Sequence, residues 1–413
     1  MSASANLECA PSERTVVPQF PGWPRYDEDE VAAATAVLRT GRVNYWTGTE
    51  AQSFEREYAR TIEVRHAVAL TNGTVALDIA LAILGIGPGD DVVTSPRTFI
   101  ASASCAAMRG ARVVFADVDR ESQNITASSI ERVLSPRTRA VIVVHLAGWP
   151  CEMDSIVALA KSRNIAVIED CAQANGALYR GRAVGSFGVF GAFSFCQDKI
   201  ISTGGEGGLL ATQDESLWSR AWSFKDHGKS FQAVHRNDHP PGFRWLHESF
   251  GTNGRMTEFQ AAIGRKQLEK LEGWVEKRRL NARRLIEKLT EIDALRVPFP
   301  GSHIKHAYYK FYAFLDLTRL KSTWTRDRII AEVGARGVPC FSGSCSEVYL
   351  ERAFDDSDSR PAQRLPVARE LGETSLMFLV HPTLTIEHMD VTCSVVRDVI
   401  EEATGGVRSR TCT

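Results

Sequence analysis

Five short runs rich in β-branched residues, each separated from the next by a helix-length segment, constrain this chain more than any other feature. HAVAL ending at Leu70, DVVTS (Asp91–Ser95), RVVFADV (Arg112–Val118), AVIVVH (Ala140–His145) and IAVIED (Ile165–Asp170) lack the alternation that gives a strand a wet face. Amphipathic stretches lie between them at Thr74–Leu84, Ile100–Arg109, Ala127–Leu134 and Asp154–Ser162. Strands without a wet face must be covered on both sides, and strands joined through helices run parallel. The pattern therefore predicts an α/β fold built on a mostly parallel sheet. Ligands in such sheets bind at the carboxyl ends of the strands, where Thr71, Ser95, His145 and Asp170 fall.

After Glu258 the pattern becomes one long amphipathic helix, EFQAAIGRKQLEKLEGWVEKRRLNARRLIEKL. It is expected to lead out of a large domain, residues 19–265, into a linking helix and a smaller C-terminal α/β domain, residues 266–404. Residues 1–18 are expected to be a loosely ordered arm and residues 405–413 a frayed tail. With 49 basic and 50 acidic residues the net charge is −1, which provides no field for nucleic acid or anionic lipid. The apolar runs, such as Ala140–Val144, are too short to cross a bilayer, and the first residues lack a signal-peptide core. Nine scattered cysteines without a CxxC pair, and ten histidines without HExxH, point away from disulfides and metal. The expectation is a soluble protein of the cytoplasm.

Within this frame, GAFSFCQDKIISTGGEGG (Gly191–Gly208) places Lys199 in a loop after an apolar run and before four glycines. VIEDCAQA ends its own run at Asp170. An amine that condenses with an aldehyde and a carboxylate that keeps a ring nitrogen protonated are what pyridoxal 5′-phosphate requires. Gln173, three residues after Asp170, suits a ring oxygen as partner. Thr71-Asn72-Gly73-Thr74 opens a helix after a strand, so its amides and the Thr74 hydroxyl offer an anion site, and Ser194 can add a second hydroxyl. The glycines after Lys199 are expected to let backbone approach a bound ring. Blander readings stand beside each: a solvated lysine, an aspartate capping a helix, an ordinary capped helix at TNGT.

Together the segments resemble the DegT/DnrJ/EryC1/StrS family of aminotransferases, over roughly Pro21 to Pro382. The markers are NGTVAL (Asn72–Leu77), TFIASAS (Thr98–Ser104), VHLAGWPCEMD (Val144–Asp154), IEDCAQANGA (Ile168–Ala177), FSFCQDK (Phe193–Lys199), GGEGG (Gly204–Gly208) and TNGRMTEFQAAIG (Thr252–Gly264). The resemblance implies the aspartate-aminotransferase-like fold and pyridoxal phosphate as cofactor. It implies Lys199 as the catalytic amine, Asp170 on the ring nitrogen, Gln173 on the ring oxygen and Phe99 stacked on the ring. Gly73, Thr74 and Ser194 would hold the phosphate. Asn253, in the N-x-R-M element, would reach the phosphate site of a neighbouring subunit, which implies a homodimer with shared active sites. Lys199 also separates this chain from family members that carry histidine there and dehydrate their substrates.

The chain departs from the family at Arg97, where an aromatic or small residue is common, and at Cys196-Gln197, where His-Pro is common. Arg97 reads either as a contact to an anionic substrate or as a surface residue. Tyr45, Trp46, His227 and Lys229 are candidates for a substrate entrance or phosphate contact, and Tyr308 and Lys310 for substrate contact. HAYYKFYAF (His306–Phe314) reads as a strand of the small domain. The expected activity is ping-pong transfer of an amino group from an amino acid, L-glutamate by family expectation, to a nucleotide-linked keto sugar. A keto-cyclitol acceptor is the alternative, and a catalytically silent regulator is disfavoured by intact Lys199, Asp170 and Gln173. A dehydrogenase is disfavoured because GGEGG does not match G-x-G-x-x-G.

Overall fold

A computed structural model describes residues 17–236 and 242–405. Most of the expected arm and nearly all of the expected tail lie outside the described residues. The larger sheet has seven strands: β1 His66–Leu70, β2 Asp91–Thr94, β3 Arg112–Phe115, β4 Thr138–Val144, β5 Ala166–Asp170, β6 Phe190–Ser194 and β7 Gly208–Thr212. Their order is β1-β7-β6-β5-β4-β2-β3. β3, β2, β4, β5 and β6 run parallel, while β7 is antiparallel to both β6 and β1. Every residue of β2, β6 and β7 is buried, as strands covered on both faces require. The five strands read from sequence all form, most of them trimmed by a residue or more at one end.

Two strands of this sheet carry no strand signature in sequence. FGAFS and GLLAT begin with or contain glycines that lower β propensity. The glycines answer to packing: a Cβ on Gly191 would lie 2.4 Å from the Gly185 carbonyl oxygen, and one on Gly208 would lie 2.3 Å from Asn72 backbone. Gly208 therefore serves the close passage of β7 against a helix start, and not, as the sequence suggested, the approach of backbone to a ring. The helix expected over Ala127–Leu134 is shorter and ends at Glu131.

Helix Glu258–Leu289, 32 residues long, joins two hydrophobic cores. Ala261, Leu271 and Val275 pack into the core of the larger sheet, while Ala282, Leu285 and Leu289 pack into a second. The second core lies on a four-stranded antiparallel sheet in the order Leu295–Arg296, Phe311–Leu315, Ser375–Phe378, Cys340–Phe341. His306–Phe314 is only partly a strand. Tyr308 takes a left-handed φ of +47°, and the carbonyls of Tyr308 and Tyr309 accept from the buried Arg278 at 3.4 and 3.3 Å. That break separates Tyr309 and Lys310 from the strand that follows. No helix among the described residues is long and apolar enough to cross a membrane.

Candidate active site

The carboxyl ends of β4 and β5, the start of helix Gly73–Ile83 and the loop after β6 surround a cavity of about 850 Å³. Gly73, Thr74, Phe99, Asp170, Gln173, Ser194 and Lys199 all line it. Seven of the eight expected site residues thus meet in one place, although they come from four separate stretches of chain. The eighth, Asn253, is exposed on a loop elsewhere, bridged to Asp226 and outside the cavity of its own chain.

Asp170 is the last residue of β5 and is 6% exposed. Its Oδ2 accepts from the Ser102 hydroxyl at 2.7 Å and its Oδ1 from the Ala172 amide at 3.1 Å. No helix follows it, so the helix-cap reading falls. The neighbouring Glu169 fixes the strand end from the opposite face. Its fully buried carboxylate accepts the amides of Gly185, Phe187 and Gly188 at 2.7–2.8 Å and pairs with His145 Nε2 at 3.0 Å. His145 Nδ1 accepts from the Cys151 amide, which puts the ring proton on Nε2. A carboxylate held by three amides and an imidazole is a rigid brace directly beside Asp170.

Gln173 Oε1 accepts from the Ala147 amide at 2.8 Å, which leaves the Nε2 end of its amide as the donor facing the cavity. Lys199 Nζ lies 3.7 Å from Asp198 Oδ1 and 5.0 Å from the centre of the Tyr309 ring. Burial alone would raise the Asp198 carboxyl. The charge of Lys199, the Tyr309 hydroxyl and the charge of Lys310 more than offset that and hold it below the usual carboxylate range. The loop that carries Lys199 is tied from outside: the Trp23 indole donates to the Lys199 carbonyl at 2.7 Å. Trp23 itself packs edge-on to Trp274, stacks on His381 and lies under the Arg278 guanidinium.

At the other end of the cavity Asn72 caps helix Gly73–Ile83, its side chain accepting from the Val75 amide at 2.9 Å. The first amides of the helix face the cavity without an intrahelical acceptor, a ready site for an anion. A Cβ on Gly73 would stand 2.8 Å from Ser194 Cβ, so the bare backbone there keeps helix start and Ser194 together. Amine, carboxylate and helix-start anion site share one cavity, and these residues fit pyridoxal phosphate.

The profile of the DegT/DnrJ/EryC1/StrS aminotransferase family matches residues 24–397. The chain belongs to that family. An aminotransferase of known structure from Psychrobacter cryohalolentis is 52% identical, with a TM-score of 0.91 over 94% of this chain and 100% of that one. The spore coat polysaccharide biosynthesis protein SpsC of Bacillus subtilis (strain 168) is 32% identical over 92% of this chain and 96% of its own length. The GDP-perosamine synthase of Escherichia coli O157:H7 is 34% identical over 85% of this chain and 90% of its own. The protein is thus a pyridoxal-phosphate-dependent aminotransferase with the fold of its family.

Several lesser expectations for this aminotransferase change. Arg97 is not a surface residue. It is fully buried, donates through Nε to Gln123 at 2.9 Å and lies 5.3 Å from the centre of the Tyr312 ring. Tyr45 is buried against Glu55 and Trp222, and Trp46 lines a separate cleft, so neither reaches the cavity of its own chain. Exposed His227 and half-buried Lys229, which pairs with Asp226 at 3.1 Å, lie on a loop hydrogen-bonded to the one that carries Asn253. Tyr308 stacks on His306 at 3.8 Å and stays outside the cavity, whereas Lys310 lines it. Cys196 lines it as well, half-buried near Glu206. Sequence reasoning missed Ser102, Asp198, Tyr309 and Trp23. Ser102 alone had a signal, a hydroxyl three residues past Phe99 on the helix that TFIASAS begins.

Proposed function

We propose that this aminotransferase moves the amino group of an amino acid, L-glutamate, to a nucleotide-linked keto sugar in two half-reactions at one site. The carrying observation is the convergence of Lys199, Asp170 and a helix-start anion site on one cavity, in a chain whose curated relatives bear the names of sugar aminotransferases. The bound cofactor supplies an electrophilic carbon and a ring that takes up electrons. Lys199 would hold that carbon through Nζ and, when its amine is free, would take up and return the proton of the substrate carbon. Asp170 holds the proton on the ring nitrogen, and Ser102 holds Asp170 in line. Gln173 would donate through Nε2 to the ring oxygen, and Phe99 would cover one face. Gly73, Thr74 and Ser194 hold the phosphate.

Mixing the holoenzyme with glutamate and a panel of nucleotide-linked keto sugars and keto-cyclitols, and following 2-oxoglutarate, tests this reading. Release with keto sugars is the expected result; release only with cyclitols would overturn the choice of acceptor. The reading places the reaction in the cytoplasm, in keeping with cysteines that are unpaired wherever described.

Asn253 belongs to this reading only as a donor to a second subunit, since it lies outside its own cavity. A homodimer with shared sites follows. Hybrids of Asn253→Ala and Lys199→Ala subunits are expected to regain a quarter to a half of wild-type turnover, because one composite site per dimer is then intact (about one half for a pure hybrid). A protein that sediments as an active monomer would refute it.

A further inference from the structure

The carboxylate and ammonium side chains that line the cavity, among the described residues, are Asp170, Asp198, Glu206, Glu351, Lys199 and Lys310. Four acids repel any carboxylate that enters, and one of the two cations is committed to chemistry. Within one chain Lys310 is therefore the cation left for an anion. It shares its surroundings with Lys199: the two ammonium groups lie 3.9 and 3.7 Å from opposite oxygens of Asp198, and 4.7 and 5.0 Å from the centre of the same Tyr309 ring. The Tyr309 hydroxyl donates to Asp198 and holds that carboxylate in place. An amino-acid donor carries its carboxylate on the carbon next to the reacting amine. When that amine reaches Lys199, the carboxylate lies within a few ångströms, on the ground that Lys310 shares.

We propose that Lys310 anchors the carboxylate of the amino donor, and that Asp198 holds the ammonium ready between turnovers. At 3.9 Å the Asp198 contact is an ion pair too long for a hydrogen bond, so the N–H groups of Lys310 are not committed to it. Burial lowers the Lys310 pKa, and nearby Arg278 and Lys199 lower it further, against the opposing pull of Asp198. A second anion relieves that imbalance. The break at Tyr308 serves this geometry, because it places Lys310 at the cavity wall just before the strand begins.

The anchor rests on the reading of the donor as an amino acid, and its test needs no acceptor. Loaded holoenzyme of wild type, Lys310→Met and Lys310→Arg is titrated with L-glutamate, following loss of the visible band. Binding of glutarate, a dicarboxylate without an amine, is measured by calorimetry. Lys310→Met should raise the half-saturating glutamate and the glutarate Kd roughly ten- to a hundredfold, the worth of a charge-assisted hydrogen bond. The limiting rate should change less than about threefold, as expected when ground state and transition state share the contact. Lys310→Arg should recover most of the binding. If wild type responds while Lys310→Met binds both ligands normally, or loses only the limiting rate, the anchor is wrong and the donor reading stands. If no amino acid discharges the wild-type band, the donor reading falls and the anchor with it.

Discussion

Lys199→Ala is expected to keep the coenzyme and lose the reaction. The groups that would retain the phosphate and ring, namely Gly73, Thr74, Ser194, Asp170 and Gln173, line the same cavity and remain when this side chain is cut back. What disappears is both the nucleophile and the base that carries the proton. Proton transfer by a placed side chain alone contributes about 10²–10⁴-fold, and the lost covalent attachment adds to it. Turnover should fall by on the order of 10⁴-fold or more, which is ~5 kcal/mol of barrier. The check is a glutamate half-reaction on variant reconstituted with pyridoxal phosphate. In wild type, borohydride should bleach the visible band and leave the cofactor mass on the Lys199 peptide. Substantial activity in the alanine variant, or label on another lysine, would refute the assignment.

Asp170→Asn is expected to be the next most damaging change. The substitution keeps the shape and lets Ser102 and the Ala172 amide stay near, but it removes the charge that holds a proton on the ring nitrogen. Removing one preorganised electrostatic partner of a reaction centre costs about 10²–10³ in kcat. Both half-reactions should slow by that order while the cofactor remains bound. Ser102→Ala, which only loosens the carboxylate, should cost about tenfold or less, in line with a hydrogen bond to a charged group worth ~1.5 kcal/mol. Equal rates in wild type and Asp170→Asn would mean that the ring nitrogen has another partner.

The fold was legible in the sequence where burial alone decides local structure. β1, β2, β4 and β5 declare themselves because strands buried on both faces have no polar alternation to hide behind, and the edge strand β3 through its β-branched pair Val113-Val114. β6 and β7 do not, because the glycines at Gly191 and Gly208 are chosen for close backbone contacts that only the folded molecule reveals. The same division runs through the site. Lys199, Asp170, Gln173 and the Asn72-Gly73-Thr74 turn sit at strand ends and a helix start, places that sequence can point to. Asp198 and Tyr309 meet across 111 residues, and Ser102 meets Asp170 across 68, so no local pattern announces them. Arg97 misled because polarity suggests a surface, whereas Gln123 and the Tyr312 ring give its guanidinium an interior berth.

The indole of Trp23 has a consequence for the order of events on the ribosome. Its grip on the Lys199 carbonyl spans 176 residues, and its own seat is made by Trp274, Arg278 and His381. Those groups leave the exit tunnel long after the lysine itself. A nascent chain can assemble most of the seven-stranded sheet, yet the seat that holds Trp23 against the lysine's backbone is complete only once translation has passed position 381. The brace on the lysine's loop is therefore a late milestone of synthesis, added after the sheet that positions the loop is already in place.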